Sequence, residues 1–597
     1  MIKRIAPVGL ILSIACNGSD GIAPNPVSSD IGTMAVGEVR VFSPADLQNG
    51  LDLPSGSSAR DFAIIVGNTS TQHDVVANYV VRADVTTGGS FEISAPPDLS
   101  AQVSASVGQI PLARTPQQAV DNKVRAFERK NLVLRSASDP LAISRFSPRR
   151  SIQVPSGAAF AVPVPGDRIN VKVPDGNSTN LCNNYFTTQA VVASVSSKAI
   201  LAVDTLDGPP TSLFTQLQMD SITTEFDNVT YPTDASYFNT PTDIDANGHI
   251  IILFTGQINK LTPPGSTDNF VGGFFFGGDM FPPVDQGGGA GSFCPQSNQA
   301  EIFYLLAPDP TGKFGNVRTT ASVRQGTRGT IAHEFQHMIN AGNRYKNPAV
   351  SDFESLWLDE ALAHFAEDAV GRVQRGFTDL QTLTFNDLLP CNSPCAQAND
   401  FNAFFFQNLA RLTYWMERPD TSSGITGDGP IEANLSSRGA AWALLRYAAD
   451  NYSGGLPRDL TRKLVAGPDT GVRNFSAATQ ASIDNLVSGW LVTMYADHYT
   501  PAISGLDPKY QYRSYNLRNV MPPIAQSVLN LPAATYPLLV SGIGFGNSIS
   551  ATNRSGTGTY YRLNVPANSG AKNVKILNSS GNVASFSGEH VYVLRVQ

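Results

Sequence analysis

The sequence predicts a multidomain α+β protein, with helices concentrated in the second half of its middle and short strands towards both ends. Three observations predict this. The chain has 597 residues, more than one hydrophobic core accommodates, so roughly two to four domains are expected. Residues 37–107 and 501–597 carry short runs of alternating apolar and polar residues separated by turn formers, the signature of β-sandwiches. From about residue 330 to 500 apolar side chains recur at helical spacing. Charged residues make up 15% of the chain, against about 25% for an average globular protein, and Gly, Ser, Thr, Asn and Pro take their place. That composition suits an exported, turn-rich protein. The net charge is −7 without a basic patch, so nucleic acid is not expected as a partner.

Residues 1–16 read as a targeting segment: Lys3 and Arg4 lead, a short apolar run follows, and Ser13-Ile14-Ala15-Cys16 has the form of a bacterial lipobox. Lipidation of Cys16 is the expectation, with ordinary cleavage after Ala15 as the rival. The location is then an outer-membrane or cell-surface lipoprotein, or a freely secreted protein, whose only membrane attachment is its lipidated N-terminus. Residues 17–35 form a flexible tether. Residues 36–110 follow as an N-terminal β-sandwich, with strands such as VRVF at 39–42 and FAIIV at 62–66. Residues 111–150 are read as an exposed connecting helix or, alternatively, a propeptide-like segment with a cleavage point near Arg149-Arg150.

The third unit spans 151–500 and the last, 501–597, is a C-terminal β-sandwich. HIIILF at 249–254 is a continuous apolar run, hence a strand buried on both faces. Before it, Asp243, Asp245, Asn247 and Gly248 imitate the start of a calcium loop, but Phe254 stands where such a loop needs Glu. A tight turn is the better reading, so structural calcium is not indicated. Residues 257–298, rich in Gly, Pro and Phe, form a wall or flap. The chain has five cysteines. Setting Cys16 aside leaves Cys391 with Cys395 as a local staple and Cys182 with Cys294 as a long bridge, the arithmetic of an oxidising compartment.

The chemistry concentrates at 333–337, which read HEFQH. On a helix His333, Glu334 and His337 share one side, while Ile331, Phe335, Met338 and Ile339 share the other. Two imidazoles one turn apart suit zinc, and Glu334 beside them suits a general base acting on water. Gly329-Thr330 and Gly342 mark the ends of a helix of three to four turns. A second helix over 351–368 opens with a capping box, Ser351 and Glu354, and carries Glu360, His364 and Glu367 on one face. Glu360 is the expected third ligand, His364 and Glu367 the residues orienting the ligands. Asp359 and Asp368 read as solvated charges.

HEFQHMI followed by WLDEALA at 357–363 resembles the gluzincin metallopeptidases, most closely the hyicolysin-type branch, over about residues 237–498. The resemblance implies a thermolysin-like catalytic domain, a mixed sheet plus a helical lobe, flanked by the N- and C-terminal β-sandwich domains. It implies one zinc ion on His333, His337 and Glu360, with Glu334 as base. It also implies an oxyanion stabiliser, for which the candidates are Arg438, Tyr447 and Tyr414, and a strand at 301–306 that pairs with extended substrate. The expected activity is that of an extracellular zinc metalloendopeptidase acting on proteins or peptides. The rivals are an aminopeptidase-type gluzincin, whose amine-anchoring GxMEN motif is missing here, and a non-catalytic surface-binding lipoprotein with a structural zinc.

Overall fold

The computed structural model describes residues 31–73, 75–84, 115–134, 162–266, 269–391, 395–427 and 434–597. The targeting segment with Cys16, most of the tether and Arg149-Arg150 lie outside the described residues. The described chain is mixed α and β, with three sheets.

Four strands come first: β1 (Val39–Phe42), β2 (Leu51–Leu53), β3 (Arg60–Asn68) and β4 (Val76–Asp84). A helix, α1 (Pro116–Asn131), follows, its N-terminus held by a capping box between Thr115 and Gln118 with Pro116 at the first turn. Six strands, β5 (Arg168–Pro174), β6 (Tyr185–Val195), β7 (Ala199–Asp204), β8 (Ile250–Thr255), β9 (Gly273–Phe275) and β10 (Ile302–Leu306), make one mixed sheet in the order β5-β6-β7-β8-β10-β9. β8 runs parallel to both β7 and β10 and is buried along its whole length, as its apolar run predicts. β9 is an edge strand, antiparallel to β10. The strand expected to meet substrate, 301–306, is therefore interior: β8 and β9 occupy its two edges, and the open edge belongs to β9.

The helical part includes α2 (Thr320–Lys346), α3 (Leu356–Gln374), α4 (Phe406–Glu417), α5 (Leu435–Tyr452) and α6 (Ile483–Ala496). α2 is longer than the three to four turns expected. Gly329 and Gly342 lie inside it rather than at its ends, because both are sites of close approach. A Cβ on Gly329 would stand 2.1 Å from the Ala403 carbonyl oxygen, and one on Gly342 2.8 Å from Thr242. α3 starts later than expected, at an N-cap on Ser355. Glu354 makes no capping box. Its buried carboxylate accepts from Arg344, the Gly471 N–H and Asn474, pinning α2 and α3 to the segment at 471.

Five strands close the chain: β11 (Val540–Gly542), β12 (Ser548–Arg554), β13 (Thr557–Val565), β14 (Lys572–Leu577) and β15 (Glu589–Arg595). They do not build a sandwich of their own. The sheets are β1-β15-β3-β13-β11 and β12-β4-β14-β2, so the two expected sandwiches are one, woven from both ends of the chain. The physical reason is edge pairing. β3 has both edges taken by C-terminal strands, Asn68 opposite Thr557 on one side and Glu589 on the other, and β4 lies between β12 and β14. Without those partners the N-terminal strands would expose open edges. The period-two alternation of β3 then serves two cores: Phe62, Ile64 and Val66 face the sandwich interior, while Ala63 and Ile65 face the core of the helical part. α6 docks there, with Tyr560 donating to the Leu491 carbonyl.

Cys182–Cys294 and Cys391–Cys395 are disulfides. The first fastens the turn before β6 to the end of the 257–298 stretch. No helix among the described residues is long and apolar enough to cross a membrane.

Candidate metal centre

α2 and α3 pack side by side, and the site lies between them under the edge strand β9. His333 and His337, one turn apart on α2, bring their Nε2 atoms to 3.1 Å of one another. Two nitrogens each ~2.0–2.1 Å from one tetrahedral ion stand about 3.3 Å apart, so the pair is set as ligands of a single ion would be. Glu360 of α3 completes the group, with Oε2 3.6 Å from His333 Nε2 and Oε1 3.9 Å from His337 Nε2. Both Glu360 oxygens are buried without an aligned hydrogen bond among the described residues. Arg438 Nη1 lies 3.0 Å from Oε2 as an ion pair. Two imidazole nitrogens and a carboxylate oxygen converging on one point are the donor set of a catalytic zinc site, so these residues fit zinc.

The far sides of the imidazoles are held as well. His333 Nδ1 donates to Glu367 Oε1 at 2.8 Å, leaving Nε2 for a metal. The same oxygen accepts from His364 Nδ1 at 3.0 Å, and Asn408 donates to Oε2 at 3.1 Å. Asp359 Oδ2 lies 2.9 Å from His337 Nδ1, and its other oxygen accepts from Asn340. Asp359 and Asp368 are thus not solvated charges. α3 is buried on every side from Leu356 to Arg372, so each charge on it must be partnered; Asp368 pairs with Arg372, Arg446 and the Tyr515 hydroxyl.

Titration follows from these partners. Burial alone would lower the His333 imidazolium, but the Glu360 and Glu367 carboxylates override it and raise it to about 10. Burial and the Arg411 guanidinium push His364 down to about 3, so it stays neutral. Burial favours neutral Glu367, yet His364 and His333 hold it well below the usual carboxylate range. Glu334, also buried, is raised by desolvation against the pull of His333 and His337. Its Oε2 accepts the Phe275 N–H at 2.9 Å, which leaves Oε1 for chemistry.

No family model matches the chain. Over 153 residues it is 31% identical to a protein of Staphylococcus hyicus named neutral metalloprotease ShpI. The match covers 26% of this chain and 31% of that relative's length.

Of the oxyanion candidates, the fold brings only Arg438 to this cluster. Its Nη2 is buried without an aligned partner among the described residues. Tyr447 lies nine residues further along α5, packed against Tyr452 and Tyr512. Tyr414 is partly buried near Arg411 and Glu417. A second grouping, His333, His364 and Glu367, shares His333 with the first. The turn at 243–248 gathers Asp243, Asp245 and Glu301, but backbone and side-chain donors already engage them: Thr242 and the Ile244 N–H on Glu301, Asn247 on Asp245, the Gly248 N–H on Asp243.

α1 is not the exposed connector that its charges suggest. Gln118, Asp121, Arg125 and Glu128 are buried. Asp121 pairs with Arg438 at 2.9 Å, and Arg125 lies 3.7 Å from Asp359. Sequence reasoning missed these residues together with Arg411, Asn408 and Asp359. A signal was present in Gln117, Asp121, Arg125 and Glu128, which recur on one helical face, but a polar stripe ordinarily faces water.

Proposed function

We propose that the chain is an exported zinc metalloendopeptidase. The observation that carries this reading is the convergence of His333, His337 and Glu360 beside Glu334, with Glu367 and Asp359 behind the imidazoles. The likeness to a protein named neutral metalloprotease supports it, and the two disulfides support an oxidising compartment. Lipidation at Cys16 remains part of the proposal on the sequence alone.

In this reading His333, His337 and Glu360 would hold a zinc ion, which would supply a Lewis acid for the scissile carbonyl and lower the pKa of water. Glu334 Oε1 takes the proton from the attacking water and passes it to the leaving amine nitrogen. Phe275 N–H fixes the other oxygen, so the carboxylate cannot rotate away. Glu367 and Asp359 keep each imidazole in the tautomer with a free Nε2. Arg438, beside Glu360, is placed to offer positive charge to an oxyanion.

The test is Glu334→Gln. Zinc content should be unchanged, and hydrolysis of an unstructured protein such as casein should fall by about 10²–10⁴-fold, the usual contribution of a general base. A variant that hydrolyses casein at the wild-type rate removes Glu334 from the mechanism.

A further inference from the structure

The open edge of β9 is occupied. Gly273 and Phe275 turn backbone groups away from β10, where an added extended peptide would pair, and Gly277 follows just past the strand; of these groups the Phe275 N–H goes to Glu334. Three others are captured by side chains. The Gly273 carbonyl accepts from Gln117 Nε2 at 2.8 Å, the Phe275 carbonyl from Arg125 at 2.7 Å, and the Gly277 N–H donates to Glu128 at 2.6 Å. Gln117 also accepts the Gly272 N–H at 2.7 Å. All three captors lie on α1 at helical spacing, so the helix presents along the strand donors and acceptors like those of a peptide backbone. Asp121, between them, takes the Arg438 guanidinium. His333, Glu334, His337 and Glu360 beneath are all at most 7% exposed.

We infer that α1 is an internal blocking strap: it occupies the edge on which an extended polypeptide substrate would dock and must leave for that substrate to reach the zinc site. This rests on the metallopeptidase reading above. The seat of the helix is largely polar. Among the helix's own residues its buried apolar side chains are Val120 and Val124, while Gln118, Asp121, Arg125 and Glu128 are buried polar groups. When α1 leaves, Asp121 and Arg125 regain water but Arg438 and Asp359 each lose an ion-pair partner, a cost that the backbone hydrogen bonds of an incoming peptide must offset. Because β1–β4 are woven into the C-terminal sheets, the strap stays part of the molecule when it opens.

The zinc-loaded full chain is compared with Gln117→Ala and with Val120→Glu/Val124→Glu. Hydrolysis of casein and deuterium uptake over 116–131, 272–277 and 320–374 are measured on the same samples. The double variant should gain uptake over 116–131 and 272–277 and none over 320–374. Its hydrolysis should rise at least tenfold, with Gln117→Ala in between. Raised uptake over 116–131 with hydrolysis at or below the wild-type rate overturns the strap and makes α1 a wall the site needs. If no chain with a freed helix hydrolyses casein, although zinc is bound, the peptidase reading falls and the strap with it. Should the double variant lose protection over 320–374, Gln117→Ala decides by the same criterion, since it removes only the hydrogen bonds of one side chain.

Discussion

Replacing Glu367 by Gln separates the two metal groupings that share His333. In the wild-type chain one carboxylate oxygen serves both His333 Nδ1 at 2.8 Å and His364 Nδ1 at 3.0 Å, and Asn408 holds the other at 3.1 Å. The amide keeps the shape and one acceptor oxygen but loses the charge that makes His333 a stronger donor to metal and balances Arg411. If Glu367 only orients His333, zinc should bind about 10–100-fold more weakly, or about 1.4–2.7 kcal/mol. The upper half of that range is expected, because one oxygen supports two imidazoles. The assay is competition for zinc against a chromophoric chelator at neutral pH, with circular dichroism to show that the helices persist. Unchanged affinity in a folded variant would refute the Glu367–His333 arrangement. Loss of zinc binding far beyond 100-fold would refute it in the other direction, by making Glu367 a ligand in the grouping with His364.

Three further outcomes are expected. Gly439→Ala would place a Cβ 2.3 Å from the Arg411 carbonyl carbon, where α4 and α5 touch backbone to backbone; overpacking of about 1–3 kcal/mol should lower the melting temperature and, by shifting Arg438 and Arg411, weaken zinc binding, and an unchanged melting curve would contradict the contact. The Cys182→Ser/Cys294→Ser pair opens a bridge spanning 112 residues; a loss of about 2–5 kcal/mol should appear as a lower urea midpoint, and an equal midpoint would deny the disulfide a stabilising role. Burial and the neighbouring Asp204 raise the Asp207 carboxyl to about 7, against Gly256 N–H bonds that lower it. A raised acid binds its proton more tightly in the folded state, so stability should fall as pH rises from about 4 to about 7, and Asp207→Asn should flatten the melting temperature across that window; an equal slope in both chains would remove Asp207 as a cause.

What the sequence made legible is what short-range periodicity encodes. His333, Glu334 and His337 share a helix face because 3.6 residues make a turn, and the apolar run at 250–255 has to be a strand buried on both sides. Glu360 could be placed because it recurs on a helix face with His364 and Glu367. Strand partners are not encoded locally. Nothing in residues 60–68 says that their neighbours are 557–565 and 589–595, so two sandwiches were expected where the pairing makes one. The glycines show the same limit. Gly329 and Gly342 carry the local signature of helix ends, and only the packing of Ala403 and Thr242 against α2 turns them into contact points.

Polarity misleads where a site is buried, and α1 and α3 both show this. On α3 every side is buried, the polar one with Glu360, His364 and Glu367 included, so Asp359 and Asp368 are partnered by other side chains, and the packing rather than the sequence shows it. On α1 Gln117, Asp121, Arg125 and Glu128 form one stripe, the pattern of a solvated face, and nothing within 116–131 distinguishes water from the edge of β9 as the surface that stripe meets. The difference lies in the partner. Backbone N–H and C=O groups of an unpaired edge want the same donors and acceptors that water supplies, so a helix that caps an edge and a helix that faces solvent have the same composition. A buried polar stripe of this kind becomes visible only once the open edge it satisfies has been located, and here that edge is Gly273–Phe275 beside Glu334.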